Sequence, residues 1–337
     1  MSAKASRTVV WVIALVLWAT VGRAQGAKTW LLAEGATTPF FEEEILIANP
    51  NAAAATVDIT FLKSDGTTVP HQMVVAATSR ATVRVNDIVP NDAVSAVVTS
   101  TEDIIVERSM YFQGSARDDG HNAVGVTAPA LTWRLAEGAT GFFEAFVLIA
   151  NPSSTTDAQV KVTFLRSDGG PAVVKHYTVV KNSRFTIWVN AMVPELGASA
   201  FSTVVESQNG VAVIVERAMY WNAFAGGHGT TAVTGLSPMW RFAEGFTGAG
   251  FSTFLLIGNP DPINPAEVRV TFFLEAGAPV VRTYTIAPSS RFDIWVNLIP
   301  GLEDAPFSML VESQGSRRCP SVRCTRRTSW PDMSRPA

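Results

Sequence analysis

The strongest constraint on the fold is a segment that recurs three times at intervals of about one hundred residues. Each copy opens with Trp, any residue, an apolar residue and then Ala-Glu-Gly, and the copies begin at Trp30, Trp133 and Trp240. A unit of this size can bury a core of its own. The chain of 337 residues is therefore predicted to form successive domains of related fold, with each Trp in a core.

Within each copy, apolar and polar residues alternate in short runs that are typical of half-buried β-strands. Val57–Phe61 and Val160–Phe164 are two such runs, and Asp65-Gly66 supplies a hairpin turn. About seven strands fit each complete copy, and no stretch has the period of a helix. The predicted class is all-β, as tandem immunoglobulin-like β-sandwiches. A β-propeller is the alternative, but its blades of about 40 to 50 residues fit this period less well.

The copies divide the chain into five predicted parts, with Gly- and Ala-rich connectors between the sandwiches. Such connectors suggest few contacts across the joints and modest freedom between domains. The parts are a signal peptide (1–24), a first sandwich (29–129), a second (130–238), a third that lacks its closing strand (239–315) and a basic, disordered tail (316–337).

The end of the third copy departs from the pattern. The first two copies close with Glu-Arg-x-Met-Tyr, at Glu107–Tyr111 and Glu216–Tyr220, whereas an Arg-rich segment with Cys319 and Cys324 follows Gly315. We interpret this as a change of reading frame or a truncation, and the alternative is a native basic tail that holds acidic polymer. A missing strand would leave a sheet edge open to association with another chain.

The first 24 residues have the pattern of an export signal. Lys4 and Arg7 precede the apolar run Val9–Val21, and a small-x-small site ends at Ala24. An uncleaved anchor is the alternative, but the run is shorter than the roughly 20 residues that a spanning helix needs. We expect a secreted or cell-surface protein with no transmembrane anchor after cleavage. The copies contain no cysteine, so packed cores must stabilise them.

Composition points to no charged partner and no cofactor. The net charge is −3 and charged residues make up 16% of the chain, so nucleic acid is not an expected partner. The four histidines have no cysteine nearby in sequence, and the spacing does not indicate two carboxylates that converge in a cleft. We therefore predict no metal, no cofactor, no catalytic residue and no enzymatic activity.

Charged residues inside strongly apolar strands are predicted to form structural ion pairs, or to bond to the backbone, because a buried charge needs a partner. They lie at the Ser-Arg turn and in the closing strand, and they are Arg80, Glu107, Arg184, Glu216 and Arg291.

Trp188 and Trp295 are the candidate ligand-binding residues. Alternation along their strands places Phe185 and Ile187 in the core and Trp188 on the opposite face. The first copy has Arg84 at this position. An outward Trp would suit stacking against a sugar or contact with a neighbouring domain. The alternative is that a connector folds over the ring.

Together the motifs resemble a bacterial domain family of unknown function that occurs in tandem on secreted and cell-surface proteins, with a Trp-x-Leu-Ala-Glu-Gly opening and a Val-Glu-Arg-x-Met-Tyr close. The resemblance covers roughly residues 29 to 315 and implies an extracellular β-sandwich. The predicted function is a non-catalytic structural or adhesive role at the cell surface, with polysaccharide or another extracellular protein as partner. An accessory carbohydrate-binding module is the alternative.

Overall fold

A computed structural model describes residues 26–112, 119–314 and 319–326 of the chain, and from residue 314 onward it describes the backbone alone. The predicted signal peptide and most of the predicted tail lie outside these ranges. Strands make up 61% of the structure and helices 5%, and the paired strands are antiparallel, which confirms the all-β class. None of the described helices is long and apolar enough to cross a bilayer.

The first sandwich packs two sheets that share one long strand. One sheet has the order β4-β3-β6-β1 and the other β5-β2-β6-β7, because the two halves of β6 belong to different sheets. A short 3-10 helix, Val85–Asp87, follows β5. The strands are β1 (Ala27–Leu32), β2 (Phe41–Asn49), β3 (Ala55–Lys63), β4 (Thr68–Val75), β5 (Ser79–Arg84), β6 (Val94–Phe112) and β7 (Asp119–Val124).

The second sandwich has the same strand order, with separate strands in place of the long one. Its sheets are β11-β10-β13-β8 and β12-β9-β14-β15. The elements are β8 (Thr132–Leu135), β9 (Phe143–Asn151), β10 (Ala158–Arg166), β11 (Val173–Val179), β12 (Ser183–Trp188), α1 (Val189–Met192), a 3-10 helix (Pro194–Leu196), β13 (Phe201–Ser207), β14 (Ile214–Trp221) and β15 (Gly226–Thr231).

The third sandwich pairs the sheet β19-β18-β21-β16 with the sheet β20-β17-β22. Its elements are β16 (Met239–Phe242), β17 (Phe251–Asn259), β18 (Ala266–Leu274), β19 (Val280–Ile286), β20 (Ser290–Trp295), a 3-10 helix (Val296–Leu298), β21 (Phe307–Gln314) and β22 (Cys319–Arg326).

Strand alternation builds each core. Val57, Ile59 and Phe61 face inward from β3 and are almost fully buried, as the apolar-polar pattern predicts. The indole of Trp133 is buried, and its Nε1 donates a hydrogen bond to the Val213 carbonyl at 2.7 Å. Trp30 makes the same kind of bond to the Ile104 carbonyl at 2.8 Å. A buried indole is therefore hydrogen-bonded to a backbone carbonyl distant in sequence in each of these sandwiches.

The closing edge of the third sandwich differs from the sequence prediction. We expected no strand here and a disordered tail from residue 316, yet β22 pairs with β17 along its whole length. The register places Ser321 opposite Leu256, where the second sandwich places Glu216 opposite Leu148. A backbone ladder needs no particular side chains, so an unrelated sequence can occupy the position. In the described chain, β22 is the last strand of its sheet.

The joints are also tighter than the connector composition suggested. Each connector is bonded to its own sandwich, because Val126 exchanges two backbone hydrogen bonds with Leu31, and Val233 exchanges two with Arg134. Strand β7 of the first sandwich lies against β15 of the second. The prediction of few contacts across the joints is therefore wrong, because the small residues of the connectors allow the sandwiches to pack closely.

Candidate functional site: a buried charged joint

The first two sandwiches meet through an apolar patch, which is the base of what we call the first joint. Leu31 and Ala33 of the first sandwich pack against Ala150 and Ile214 of the second. Ala33, Ala150 and Ile214 are completely buried. The outer face of the sheet β12-β9-β14-β15 thus covers the end of β1, and water is excluded from the neighbouring polar groups.

Arg108 lies at the centre of this joint and is itself fully buried. Its Nη1 donates to Oε2 of Glu216, across the joint, at 2.7 Å, and to the main-chain oxygen of Glu34 at 2.9 Å. Its Nη2 donates to Oε2 of Glu34 at 2.6 Å. Glu216 also accepts a hydrogen bond from the Ala33 amide at 2.8 Å. One guanidinium thus connects carboxylates of two sandwiches.

The charges of the joint support one another. Burial alone would raise the pKa of Glu34, but the charges of Arg108 and His121 outweigh it and hold that pKa below its usual value. Burial would lower the pKa of Arg108, yet Glu216 and Glu34 raise it. The pKa of Glu216 is raised by burial and lowered by Arg108, with the burial effect larger. Since each charge depends on the others, the group acts as a unit.

Glu43 is a third carboxyl at this joint and is chemically different. Its side chain is buried, and neither carboxylate oxygen has a hydrogen-bond partner among the described residues. Burial raises its pKa to about 8, although Arg108 and Arg184 act in the opposite direction. At neutral pH this carboxyl is therefore protonated and uncharged, which leaves Glu34 and Glu216 to balance the two arginines.

Arg184 reaches from the second sandwich into the first. Its Nη1 donates to the carbonyl oxygens of Gly35 and, at 3.2 Å, Val94. Arg291 does the same from the third sandwich, because its Nη1 donates to the carbonyls of Gly138 and, at 2.9 Å, Phe201. Both arginines are buried. In both sandwiches the arginine of the Ser-Arg motif therefore bonds to the backbone of the preceding sandwich.

Arg80 and Glu107 occupy the same register in the first sandwich but face solvent. Arg80 makes a weak hydrogen bond to Thr82 at 3.3 Å, and Glu107 makes none within the described ranges. The five charged residues predicted from the sequence thus fall into two groups. Arg184, Glu216 and Arg291 hold joints together, whereas Arg80 and Glu107 face solvent in the part of the chain that the structure describes.

An aromatic cluster closes one side of the first joint. Tyr220 packs edge-on against Phe112, with ring centroids 5.3 Å apart, and its hydroxyl lies 3.3 Å from Nε2 of His121. The hydroxyl also donates a long hydrogen bond, 3.4 Å, to Glu34. A Cβ on Gly229 would lie 2.5 Å from the His121 ring. Glycine at this position lets β15 approach β7.

The second joint lacks one of these contacts. Arg217 corresponds to Arg108, and its Nη2 lies 3.0 Å from Glu137 and 2.9 Å from Nδ1 of His228. Its buried Nη1 has no hydrogen-bond partner in the described part of the chain, whereas the same atom of Arg108 binds Glu216. The backbone register places Ser321 at the position of Glu216. The closing strand of the third sandwich therefore has no carboxylate at this register position.

The two candidate tryptophans lie on the outer face of their sheets. Trp188 is 44% exposed, stacks on Phe146 and donates from Nε1 to Glu144 at 2.6 Å. Trp295 stacks on Phe254 in the same way but is half-buried, and its Nε1 has no partner in the described ranges. The structure keeps the two rings in separate sandwiches.

The first joint excludes water and fixes the orientation of its charged side chains. Those charges are used to hold two sandwiches together. Across the residues that the structure describes, no three His, Cys, Asp or Glu side chains are arranged to hold a metal ion. Sequence reasoning missed Glu34, Glu43, Arg108 and Tyr220. The differences between the copies do point to the joint in the sequence: the second sandwich has Gly229 where the first has Asn122.

Comparisons with known proteins add little. No family model matches the chain, and no curated protein matches it. A crystal structure of Thermotoga maritima 1070 is 20% identical, and the likeness covers 31% of this chain and 96% of that one with a TM-score of 0.29. The Anabaena sensory rhodopsin transducer is 31% identical over 25% of this chain and 82% of its own, with a TM-score of 0.23. At these TM-scores neither likeness supports an argument about fold or function.

Proposed function

We propose that this protein is a non-catalytic, exported structural protein of the cell surface, in which sandwiches are fastened end to end into a stiff unit. The observation that carries the proposal is the first joint, where Arg108 binds carboxylates of two consecutive sandwiches in a buried environment. Two buried arginines, Arg184 and Arg291, serve the same purpose at successive joints. Buried charged residues, which are typical of reactive sites, here hold one sandwich against the next.

Stiffness suits such a role. Stacked units in which each contacts its neighbour give an extended surface whose stability includes the interface between units. A spacer or adhesive surface needs a defined length and orientation, and a buried ion network specifies orientation because its charges have no other partners. The export pattern in the first 24 residues supports a location outside the cytoplasm.

The test of location uses the full-length chain with a C-terminal tag in an export-competent bacterium. We expect the mature protein to begin at Gln25 and the tag to be lost when protease is added to intact cells, or to be found in the medium. A chain that keeps Met1 and stays in the cytoplasm would overturn the proposal. Small-angle scattering of the purified protein should give the dimensions of one rigid particle.

Carbohydrate binding is the second candidate, and the exposed ring of Trp188 is the observation in its favour. Aromatic rings on a sheet face can stack against sugar rings. A glycan-binding screen should compare the native chain with Trp188→Ala, Trp295→Ala and the control Val74→Ala, an exposed apolar residue on β4. Binding that is lost with Trp188→Ala and kept with the control would establish this function; equal signals would exclude these rings as the site.

A further inference from the structure

We propose that the outer face of the first sandwich binds the third sandwich of a second copy of this chain, so that chains associate head to tail. The inference deepens the proposed structural function and rests on it. We call the two surfaces the leading face, formed by Leu46, Ala48, Arg80 and Glu107, and the trailing face, formed by Ala243, Glu244 and the carbonyls of Gly245 and Phe307.

The leading face corresponds, residue for residue, to surfaces that are buried elsewhere in the chain. In the first sandwich, Leu46 pairs with Glu107 and Ala48 pairs with Arg80. In the second, Leu148 pairs with Glu216 and Ala150 with Arg184 in the same register. These four residues of the second sandwich are buried against the first, whereas Arg80 and Glu107 are exposed.

The trailing face is the matching half of the same contact. Ala33 and Ala136 are buried at the two joints, as are Glu34 and Glu137, but Ala243 and Glu244 are exposed. The oxygen of Gly245 accepts a hydrogen bond from the Phe307 amide at 2.9 Å. The oxygen of Gly138 accepts the same kind of hydrogen bond from the Phe201 amide at 2.9 Å, and it also accepts one from Nη1 of Arg291. The Gly245 oxygen, to which Arg80 would donate, therefore has the same kind of backbone partner as the Gly138 oxygen that binds Arg291.

Charge and chemistry favour this occupant. Arg80 would donate to the two carbonyls, Glu107 would accept from the Ala243 amide as Glu216 accepts from Ala33, and Ala48 would pack on Ala243 as Ala150 packs with Ala33. Since the leading and trailing faces differ, the contact is heterologous and each chain can bind one neighbour at each end. An interface of this type produces open chains unless its rotation closes a ring.

Two differences make the contact weaker than the internal joints. The leading face has Glu44 and Arg84 where the second sandwich has Phe146 and Trp188, so it is compatible with water. The register of β22 places Val322 where Arg217 lies in the second sandwich, so Glu107 would meet one donor fewer than Glu216 does. Association is therefore expected to be reversible and to increase with concentration.

The experiment measures mass in solution by sedimentation equilibrium on the purified protein over a wide concentration range. The mean mass of the native chain should rise beyond that of two chains. Ala48→Arg blocks the leading face and Ala243→Arg blocks the trailing face, and each should weaken association at least tenfold. Arg80→Glu is a second block of the leading face. Val74→Arg, on exposed β4, should associate like the native chain.

Mixing the two blocked variants decides between this contact and any other. Each retains one open face, so an equimolar mixture of Ala48→Arg and Ala243→Arg should form dimers and stop there. Thermal unfolding of each variant alone should match the native chain, since Ala48 is half-exposed and Ala243 is exposed. A native chain of single-chain mass at every concentration, or a mixture that stays monomeric, overturns the proposal. Neither result bears on export, which the location test measures separately.

Discussion

Arg108 and Glu216, which lie in different sandwiches, form a fully buried ion pair with 2.7 Å between Nη1 and Oε2. Removing charged groups from water costs several kcal/mol per ion, and the pair offsets that cost through its bonds to Glu34 and to the Ala33 amide. Glu34 lies in the same sandwich as Arg108, whereas both partners of Glu216, Arg108 and the Ala33 amide, lie in the neighbouring sandwich. The ion pair therefore couples the stability of the two domains.

Glu216→Gln should destabilise the protein by about 3–5 kcal/mol, because it leaves Arg108 buried with one negative partner fewer. The matched control is Glu206→Gln, which breaks the Lys161–Glu206 pair at 2.9 Å on the surface and should cost about 0–1 kcal/mol. Urea unfolding followed by tryptophan fluorescence measures both. Equal costs for the two substitutions would show that the buried pair does not couple the domains.

Arg184→Met should destabilise the protein by about 2–3 kcal/mol, the scale of hydrogen bonds made by a charged group. The guanidinium reaches the carbonyls of Gly35 and Val94 in the neighbouring sandwich. Arg80→Met changes the same register position, which is exposed to solvent in the described chain, and should stay within about 0.5 kcal/mol. The comparison is made by urea unfolding of dilute single chains, and a similar loss from both variants would contradict the fastening role.

Glu43 should make the stability fall as the pH rises. Its pKa in the folded chain is about 8, against an ordinary value of 4.5 for a glutamate, so above pH 4.5 the unfolded chain loses this proton first. The stabilisation that is fully present below pH 4.5 is therefore lost by the time the pH has passed through about 8. Glu43→Gln should remove this loss and be the more stable protein at pH 9.

The measurement is the melting temperature of both proteins from pH 5 to pH 9. His121, whose pKa is lowered by burial, titrates in both proteins, so its contribution cancels in the difference. A second variant, Glu43→Thr, introduces the residue that the third sandwich has at this position, Thr253. Parallel melting curves for the native and substituted proteins would show that Glu43 titrates normally.

The strands could be predicted from the sequence because alternation reflects local burial. Val57, Ile59 and Phe61 face a core that their own sandwich supplies, and Trp133 bonds within its own sandwich. The joints could not be predicted in this way, since burial there depends on which sandwich lies next door. Arg80 and Arg184 follow the same Ser-Arg motif, yet one faces solvent and the other is buried.

Differences between the copies indicate which surfaces are buried at the joints. The connector histidines share a register, with His121 opposite Met110 and His228 opposite Met219. One residue further on, the first sandwich has Asn122 and the second has Gly229. Glycine is required where another sandwich packs closely and is not required where the surface is free. The glycines of the connectors therefore reflect close approach of two sandwiches and not freedom between them.

Gly229→Ala tests that close approach directly. The new Cβ would lie 2.5 Å from Nδ1 and 2.7 Å from Cε1 of buried His121, so the imidazole ring or the joint must shift, at a cost of about 1–3 kcal/mol. Gly235→Ala is the control, because a Cβ there meets no atom within 4 Å. His121→Ala should relieve the clash, and the double variant should then cost less than the sum of the two single variants in urea unfolding. Additive costs would mean that Gly229 does not set the spacing of the joint.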